Sequence, residues 1–211
     1  IQHADSLTID PHKWFFQPYE IGCLLVKDHK WLSATFSQNP EYLRDIEGNE
    51  SEINFHEHGI QLTRRFRALK FYTSIKTYGL KSFRKAIDHG IDLAENTELL
   101  LRKSPEWEVI SKSNLAIINF RYNPIDLKLD EEELDFINEG IVKEITASRS
   151  AMLATTVLQD QVVLRMCLIN PRTSMSDIQE TLELCEAYAQ KILKSEIMVK
   201  RSLRFEKISD S

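Results

Sequence analysis

The second half of the chain carries the hydrophobic pattern that most constrains the fold. Two apolar stretches typical of strands precede an amphipathic stretch typical of a helix, and the same order then repeats. The segments are strands 107–110 and 115–120, helix 130–147, strands 151–157 and 162–169, and helix 174–194. Each helix opens with a capping side chain and an acid three residues later, Asp130 with Glu133 and Ser174 with Asp177. This order predicts a small α+β layer.

The first part of the chain has a different pattern. Residues 6–9 and 22–26 predict two neighbouring strands, and the second is continuously apolar, as buried strands are. Residues 34–58 show no sustained periodicity and contain several acids, so they predict a long exposed loop.

Helical periodicity returns after this loop. A helix is predicted to open at Leu62 and to end at Gly79 as its C-cap, and a second one covers residues 81–103. The pattern changes character beyond the second helix, and we place the domain boundary just before that helix. We therefore expect one domain over residues 1–78 and another over residues 79–211.

Lys13 stands out in the sequence Asp10-Pro11-His12-Lys13-Trp14. Pro11 stops the preceding strand, which places the lysine at a strand terminus facing a cleft. A lysine that forms a Schiff base must lose its proton near neutral pH, and partial desolvation among the following aromatic residues favours that loss. The other interpretation is an ordinary exposed lysine in a turn.

Two further features strengthen a resemblance that begins at Lys13. Tyr42 lies in the predicted loop, and the string from Arg64 to Lys70 reads Arg-Arg-Phe-Arg-Ala-Leu-Lys. Together with Pro-His-Lys, these features resemble the group II amino-acid decarboxylases that use pyridoxal 5'-phosphate (PLP), the aromatic-amino-acid, glutamate and diaminobutyrate enzymes. The resemblance covers about residues 4 to 194.

The resemblance implies an α/β fold of PLP fold type I, the aspartate-aminotransferase-like class. Residues 1–78 would be the C-terminal part of its PLP-binding large domain, and residues 79–211 its small α+β domain. Lys13 would hold the cofactor as a Schiff base, with His12 and Asp10 beside the cofactor phosphate. Many relatives carry asparagine at the position of Asp10, so its charge would have to be offset.

The implied reaction is decarboxylation of an L-amino acid to an amine and carbon dioxide, which makes the protein a lyase of amino acid metabolism. Tyr42 would protonate the substrate Cα as its loop closes. In related aldehyde synthases a phenylalanine takes this place, so a tyrosine favours simple decarboxylation. Aldehyde synthase or carbon–carbon lyase chemistry on the same fold remains the nearer alternative.

Two arginines are candidates for supporting the substrate pocket. Arg165 interrupts the apolar run over residues 162–169, which predicts a buried charge that needs an anion. That anion is either a core carboxylate such as Asp160 or, as the resemblance implies, the substrate carboxylate or an active-site acid. Arg64 is expected to support the pocket structurally.

Composition and charge narrow the partners. A formal net charge of -5 and a pI near 5.7 argue against nucleic acid or an anionic membrane, so a small-molecule substrate is expected. No apolar run is long enough to span a membrane. His56-Glu57-His58 lacks a third ligand at helical spacing, so no metal is expected. The three widely spaced cysteines predict reduced core thiols in a cytoplasmic protein.

The family's upstream groups, which pair with the pyridine nitrogen and stack on the ring, all precede the lysine and have no counterpart here. We therefore expect this chain to act as part of a longer enzyme and to be inactive alone. The resembling family also implies a homodimer in which the loop reaches the partner's cofactor. A non-catalytic chain that only dimerises or scaffolds is the more distant alternative.

Overall fold

The computed structural model describes residues 1–37 and 53–197. The chain forms two compact units, Ile1–Phe83 and Arg84–Ser211, which divide in the first turn of a long helix, α4 (Leu80–Leu101). The boundary predicted at residues 78 and 79 falls just before that helix.

The first unit begins with a two-stranded antiparallel sheet. Strands β1 (Ser6–Ile9) and β2 (Cys23–Val26) pair with Ser6 opposite Val26, which confirms that the two strands are neighbours. A one-turn helix, α1 (Pro11–Trp14), follows β1 directly. The prediction that β2 is buried is wrong for this chain, because Leu24 and Leu25 are 50% and 51% exposed and point to opposite faces of the sheet.

The predicted long loop is shorter at both ends than residues 34–58. Helix α2 (Lys30–Phe36) continues into its start, and a 3₁₀ turn (Phe55–His58) occupies its end. The helix and the turn pack against each other, and the rings of His29 and His58 are 6.2 Å apart between centroids.

Helix α3 (Arg67–Tyr78) begins later than the predicted start at Leu62. The apolar residues before it remain largely exposed, Leu62 at 52% and Phe66 at 74%, so no packing among the described residues of this unit stabilises a longer helix. Its end matches the prediction: Gly79 adopts φ 76°, and its amide donates to the Ile75 carbonyl at 2.8 Å.

The second unit contains a four-stranded antiparallel sheet. Its strands β3 (Trp107–Asn114), β4 (Ile117–Tyr122), β5 (Ala154–Leu158) and β6 (Gln161–Cys167) are arranged in the order β3-β4-β6-β5. Helices α5 (Glu131–Ser148) and α6 (Met175–Ile192) follow β4 and β6, and a short π-helical turn (Leu193–Ile197) continues α6. The α+β layer is therefore confirmed.

The first residues of α5 and α6 are set by their capping boxes. Asp130 accepts from the Glu133 amide at 2.9 Å, and the Glu133 carboxylate accepts from the Asp130 amide at 3.0 Å. Ser174 and Asp177 form the same reciprocal pair at the start of α6. These contacts satisfy amides that the first helical turn leaves without a partner.

The core of the second unit lies between the sheet and the two helices. Its members are fully buried aliphatic and aromatic side chains from β4, β6, α5 and α6: Ile118, Phe120, Tyr122, Leu164, Ile137, Ile141, Ile145, Ile178 and Cys185. Asn138 is also fully buried, and its amide group bonds both the amide and the carbonyl of Tyr122, which ties α5 to β4.

Candidate functional site

Lys13 lies at the end of strand β1, in the turn that Pro11 begins. Pro11 fits the first helical position because that position needs no amide hydrogen bond. The Lys13 side chain is 60% exposed, and its Nζ donates to Asp10 Oδ2 at 2.7 Å. This hydrogen bond lowers the pKa of the Asp10 carboxyl. The strand-terminal position of Lys13 agrees with the sequence prediction.

The expected desolvation of Lys13 by its aromatic neighbours is not found among the residues that the structure describes. Phe15 packs edge-on against Phe71 at 5.0 Å, and Phe16 stacks on Phe83 at 6.4 Å. These rings anchor the turn to α3 and to the start of α4 and do not cover the lysine. The amine is therefore accessible in the described part of the chain.

His12 fixes the shape of the same turn. Its Nδ1 lies 2.6 Å from the Ile21 carbonyl oxygen, so Nδ1 carries the proton and donates it. Its ring also meets the Tyr19 ring edge-on at 5.1 Å. His12 thus connects the lysine turn to the segment that leads into β2.

A second set of contacts joins α3 to the loop after Lys13. Arg67 donates to the Glu20 carboxylate, with Nε at 3.1 Å from Oε1, and this bond lowers the pKa of Glu20. Lys70 Nζ donates to the carbonyls of Pro18 at 2.7 Å and Glu20 at 2.9 Å. We call Arg67 and Lys70, with the Pro18–Glu20 segment that they hold, the α3 brace.

Sequence reasoning missed the α3 brace, although it noticed the string that contains both residues. The string was expected to act through Arg64, but Arg64 is exposed and lies near Gly59, before the helix starts. The signal that could have found the brace is the spacing of Arg67 and Lys70, which places both on one face of α3. An open groove of about 650 Å³ runs along this face, with Tyr19, Phe66 and Tyr78 in its walls.

Arg165 is exposed, so the prediction of a buried charge is wrong. In β6 the neighbouring Leu164 and Met166 point into the core, and Arg165 points to the other face, opposite Asn119 of β4 and Ala154 of β5. Among residues 1–37 and 53–197 it forms no ion pair, with Asp160 or any other acid. Its role stays a prediction.

The remaining predictions concern other parts of the chain. Tyr42 lies outside the described residues, so its role also stays a prediction. Within those residues, no three His, Cys, Asp or Glu side chains group as a metal site would require. No helix in the described ranges is long and apolar enough to cross a membrane. Of the three cysteines, all of them free, only Cys185 is buried, while Cys23 is partly and Cys167 largely exposed.

A comparison with known protein families shows which family these features belong to. Residues 1–123 match the family described as "Pyridoxal-dependent decarboxylase conserved domain". The chain belongs to this family. The match includes Lys13 with its turn and the whole of α3, which confirms the resemblance drawn from the sequence.

Curated relatives in the pyridoxal-dependent decarboxylase family extend the likeness over most of the chain. An aromatic-L-amino-acid decarboxylase of Bacillus atrophaeus is 49% identical over 193 residues, which are 91% of this chain and 40% of that protein. A mouse histidine decarboxylase is 30% identical, over 92% of this chain and 28% of the relative. A phenylacetaldehyde synthase of Petunia hybrida is 28% identical, over 92% and 39%. The chain thus spans less than half the length of these relatives.

Solved structures give the same fold. Oryza sativa TDC, crystallised with PLP and tryptamine, superposes with a TM-score of 0.81 at 25% identity, over 90% of this chain and 40% of that one. The decarboxylase domain of a Vibrio parahaemolyticus diaminobutyrate enzyme superposes with a TM-score of 0.68 at 23% identity, over 89% and 34%. These neighbours confirm the α/β class and PLP fold type I.

Proposed function

We propose that this chain supplies the lysine-bearing part of a PLP-dependent decarboxylase that converts an L-amino acid to its amine and carbon dioxide. Family membership supports the reaction, and the relative at 49% identity favours an aromatic substrate. The observation that carries the proposal is the placement of Lys13, an accessible primary amine on a braced turn at the end of β1.

The residues of this turn fit the cofactor. A carbonyl group needs an amine that it can reach, and 60% of the Lys13 side chain is exposed. When bound, PLP supplies an electron sink that makes loss of a substrate carboxylate possible. Lys13 would hold the cofactor through Nζ, and His12 and the α3 brace keep its turn in place.

Asp10 holds the anchoring amine in an ion pair. Its carboxylate accepts a hydrogen bond from Lys13 Nζ at 2.7 Å. The amine must leave this contact before it can reach a carbonyl group, so the ion pair must open first. Exposure of both side chains makes that opening inexpensive, because water replaces the contact.

Tyr42 is proposed as the acid that protonates the substrate Cα. The support is the resemblance alone: decarboxylases of this group carry a tyrosine on a loop at about this separation from the lysine. Aldehyde synthase activity is the second candidate, because phenylacetaldehyde synthases are relatives at 28% and 30% identity. The tyrosine favours simple decarboxylation.

The arginines, the assembly and the location complete the proposal. Arg165 would meet the substrate carboxylate or an active-site acid, since it is exposed and forms no ion pair in the described part of the chain. Arg64 would support the pocket structurally.

We further propose a homodimer, because the groove along α3 leaves apolar surface exposed. We also propose a cytoplasmic location, which the three free cysteines favour.

The test is substitution of Lys13 in the complete protein. Lys13→Ala should remove the adduct that borohydride reduction fixes between PLP and the protein, and with it nearly all amine formation. Lys30→Ala, an exposed lysine of the same unit, is the control and should keep both. A Lys13→Ala protein with the wild-type amount of reduced adduct would overturn the assignment.

A further inference from the structure

We propose that a pocket in the second unit binds a primary ammonium ion that carries an aryl or alkyl tail. The pocket has a volume of about 310 Å³ and lies between the end of α4, the start of β3 and one face of α6. Its floor is formed by Leu101, Trp107 and Leu182, and its rim by Glu183 and Glu186. None of these residues belongs to the Lys13 turn or to the α3 brace.

The floor is a preformed apolar surface. Leu101, Trp107 and Leu182 are 0%, 7% and 5% exposed, so a ligand reaches the floor mainly through the half-buried Leu100 and the exposed part of the Trp107 indole, which is held on three sides. Its ring meets Phe120 at 5.3 Å and Tyr122 at 5.4 Å, both edge-on, and its Nε1 donates to Glu186 Oε1 at 2.7 Å. A small aromatic or aliphatic group can therefore bind without reorganising the wall, and the volume is at the lower end for ligand pockets.

The rim favours a cation. Glu183 and Glu186 lie one turn apart on α6, so both carboxylates border the same opening. Glu106 adds a third negative charge close by, because it accepts from the Tyr122 hydroxyl at 2.8 Å. Burial, the bond to Glu106 and the charge of Glu186 together raise the pKa of Tyr122, which reflects the same negative surroundings.

No cation of the described residues neutralises these groups. In the described ranges, 1–37 and 53–197, none of the three carboxylates forms an ion pair. Arg102, at the nearby end of α4, is paired instead with Glu98 at 2.8 Å. The C-terminal end of the α4 dipole adds further negative potential beside the pocket.

The pocket thus combines an apolar floor with a rim of carboxylate acceptors. An ammonium group offers three donors to that rim, and an attached ring or chain covers the floor. A carboxylate on the same tail would be repelled. Amines of this class are products of the reaction proposed above, so the pocket would hold a product molecule. Only this role as a product site rests on the proposed function.

The experiment measures binding of 2-phenylethylammonium by calorimetry, without PLP or substrate. Glu183→Gln removes one rim charge at an exposed position and should weaken binding about fivefold. Glu180→Gln removes the same charge from α6 outside the pocket and should bind as the wild type does. Two further probes, 3-phenylpropanoate and methylammonium, should each bind at least tenfold more weakly, because the first carries a negative charge in place of the ammonium and the second lacks the tail.

The position of the ligand is read from fluorine NMR of protein labelled with 5-fluorotryptophan. The Trp107 signal, assigned with Trp107→Phe, should move on titration, while those of Trp14 and Trp31 stay fixed. An immobile Trp107 signal, equal affinity for the anionic probe, or equal loss in the two glutamine variants would overturn the proposal. Since no outcome depends on turnover, failure here is separate from failure of the decarboxylase assignment.

Discussion

At the scale of single residues, the contact between Asp10 and Lys13 decides when the amine can react. Asp10→Asn removes the ion pair that holds Nζ away from a carbonyl group, so Lys13 should form its adduct with PLP faster. We expect a rise in rate of up to about fivefold at fixed pH, since the pair is exposed. The measurement is the amount of borohydride-reduced adduct against time.

Asp5→Asn provides the matched control for this prediction, because Asp5 is an exposed acid just before β1. Its time course of adduct formation should coincide with that of the wild type. Slower adduct formation in Asp10→Asn would mean that the carboxylate assists the reaction of the amine.

Tyr42 gives the second prediction at this scale. Tyr42→Phe removes the proposed proton donor without affecting loss of the carboxylate, so amine yield should fall at least tenfold. In aerated solution aldehyde should appear instead, with dioxygen as the oxidant and with ammonia and hydrogen peroxide as coproducts. Chromatography of the products from the complete protein measures both. Tyr72→Phe, an exposed tyrosine on α3, should leave the ratio unchanged. Unaltered amine yield in Tyr42→Phe would leave the tyrosine without a chemical role.

The sequence located Lys13 correctly because a proline after a strand sets the backbone locally. Its exposure could not be predicted, because the packing of Phe15 and Phe16 depends on Phe71 and Phe83, which are distant in the chain. For Arg165 the apolar run was misleading. Strand neighbours alternate between faces, so one exposed position can lie inside a continuous apolar stretch.

At the scale of elements, helix α3 holds the lysine turn through the α3 brace. Lys70→Met keeps the apolar stem but leaves the carbonyls of Pro18 and Glu20 without its two hydrogen bonds, at a cost of about 1 kcal/mol. Backbone amides between Gln17 and Ile21 should then exchange with solvent faster.

Hydrogen exchange read by mass spectrometry on peptides that cover residues 15–22 measures this change. Lys76→Met is the control on the same helix, where the ammonium lies over the Tyr72 ring at 5.6 Å and away from the loop. Equal exchange in the two variants would show that the loop does not depend on Lys70.

Element boundaries could be predicted where the signal is local. The capping boxes of α5 and α6 identify their starts within a residue, because each box is complete in four consecutive residues. The start of α3 carries no such box, and its periodic pattern extends backward over Leu62 and Phe66, which remain largely exposed in the part of the unit that the structure describes. Periodicity alone therefore placed that start too early.

At the scale of the whole molecule, the α/β class and the order of elements were accessible from pattern and resemblance. The burial of Arg121 in the second unit, and its ion pairs there, could not be predicted from either. Its side chain is only 4% exposed and bridges Glu108 at 2.7 Å and Glu131 at 2.8 Å. Nothing near it in sequence distinguishes it from a surface arginine, because Glu131 comes from the next helix and Glu108 from the paired strand.

This arginine makes the second unit sensitive to acid. Burial opposes the charge of Glu108, but hydrogen bonds from Asn123 and Arg121 outweigh it and lower the pKa below the usual 4.5. A carboxyl whose pKa is lower in the folded state stabilises that state above the unfolded pKa. The stabilisation is lost as pH falls through the lower folded value. Stability should therefore decline below about pH 4.5.

Arg121→Met tests the bridge, since methionine fills the space of the arginine stem but leaves both glutamates without their cation. We expect the free energy of unfolding at pH 7 to fall by about 2 kcal/mol, less than for a fully buried pair because both carboxylates are partly exposed. The loss should shrink toward pH 3, because the pH then falls toward the lowered pKa of Glu108 and the charge that Arg121 pairs is progressively lost. Urea unfolding followed by circular dichroism at both pH values measures this loss of stability.

Arg165→Met is the control, because Arg165 lies in the adjacent strand of the same sheet but is exposed. It should change stability little at either pH. A loss for Arg121→Met that is equal at pH 7 and pH 3 would assign its role to packing and not to charge.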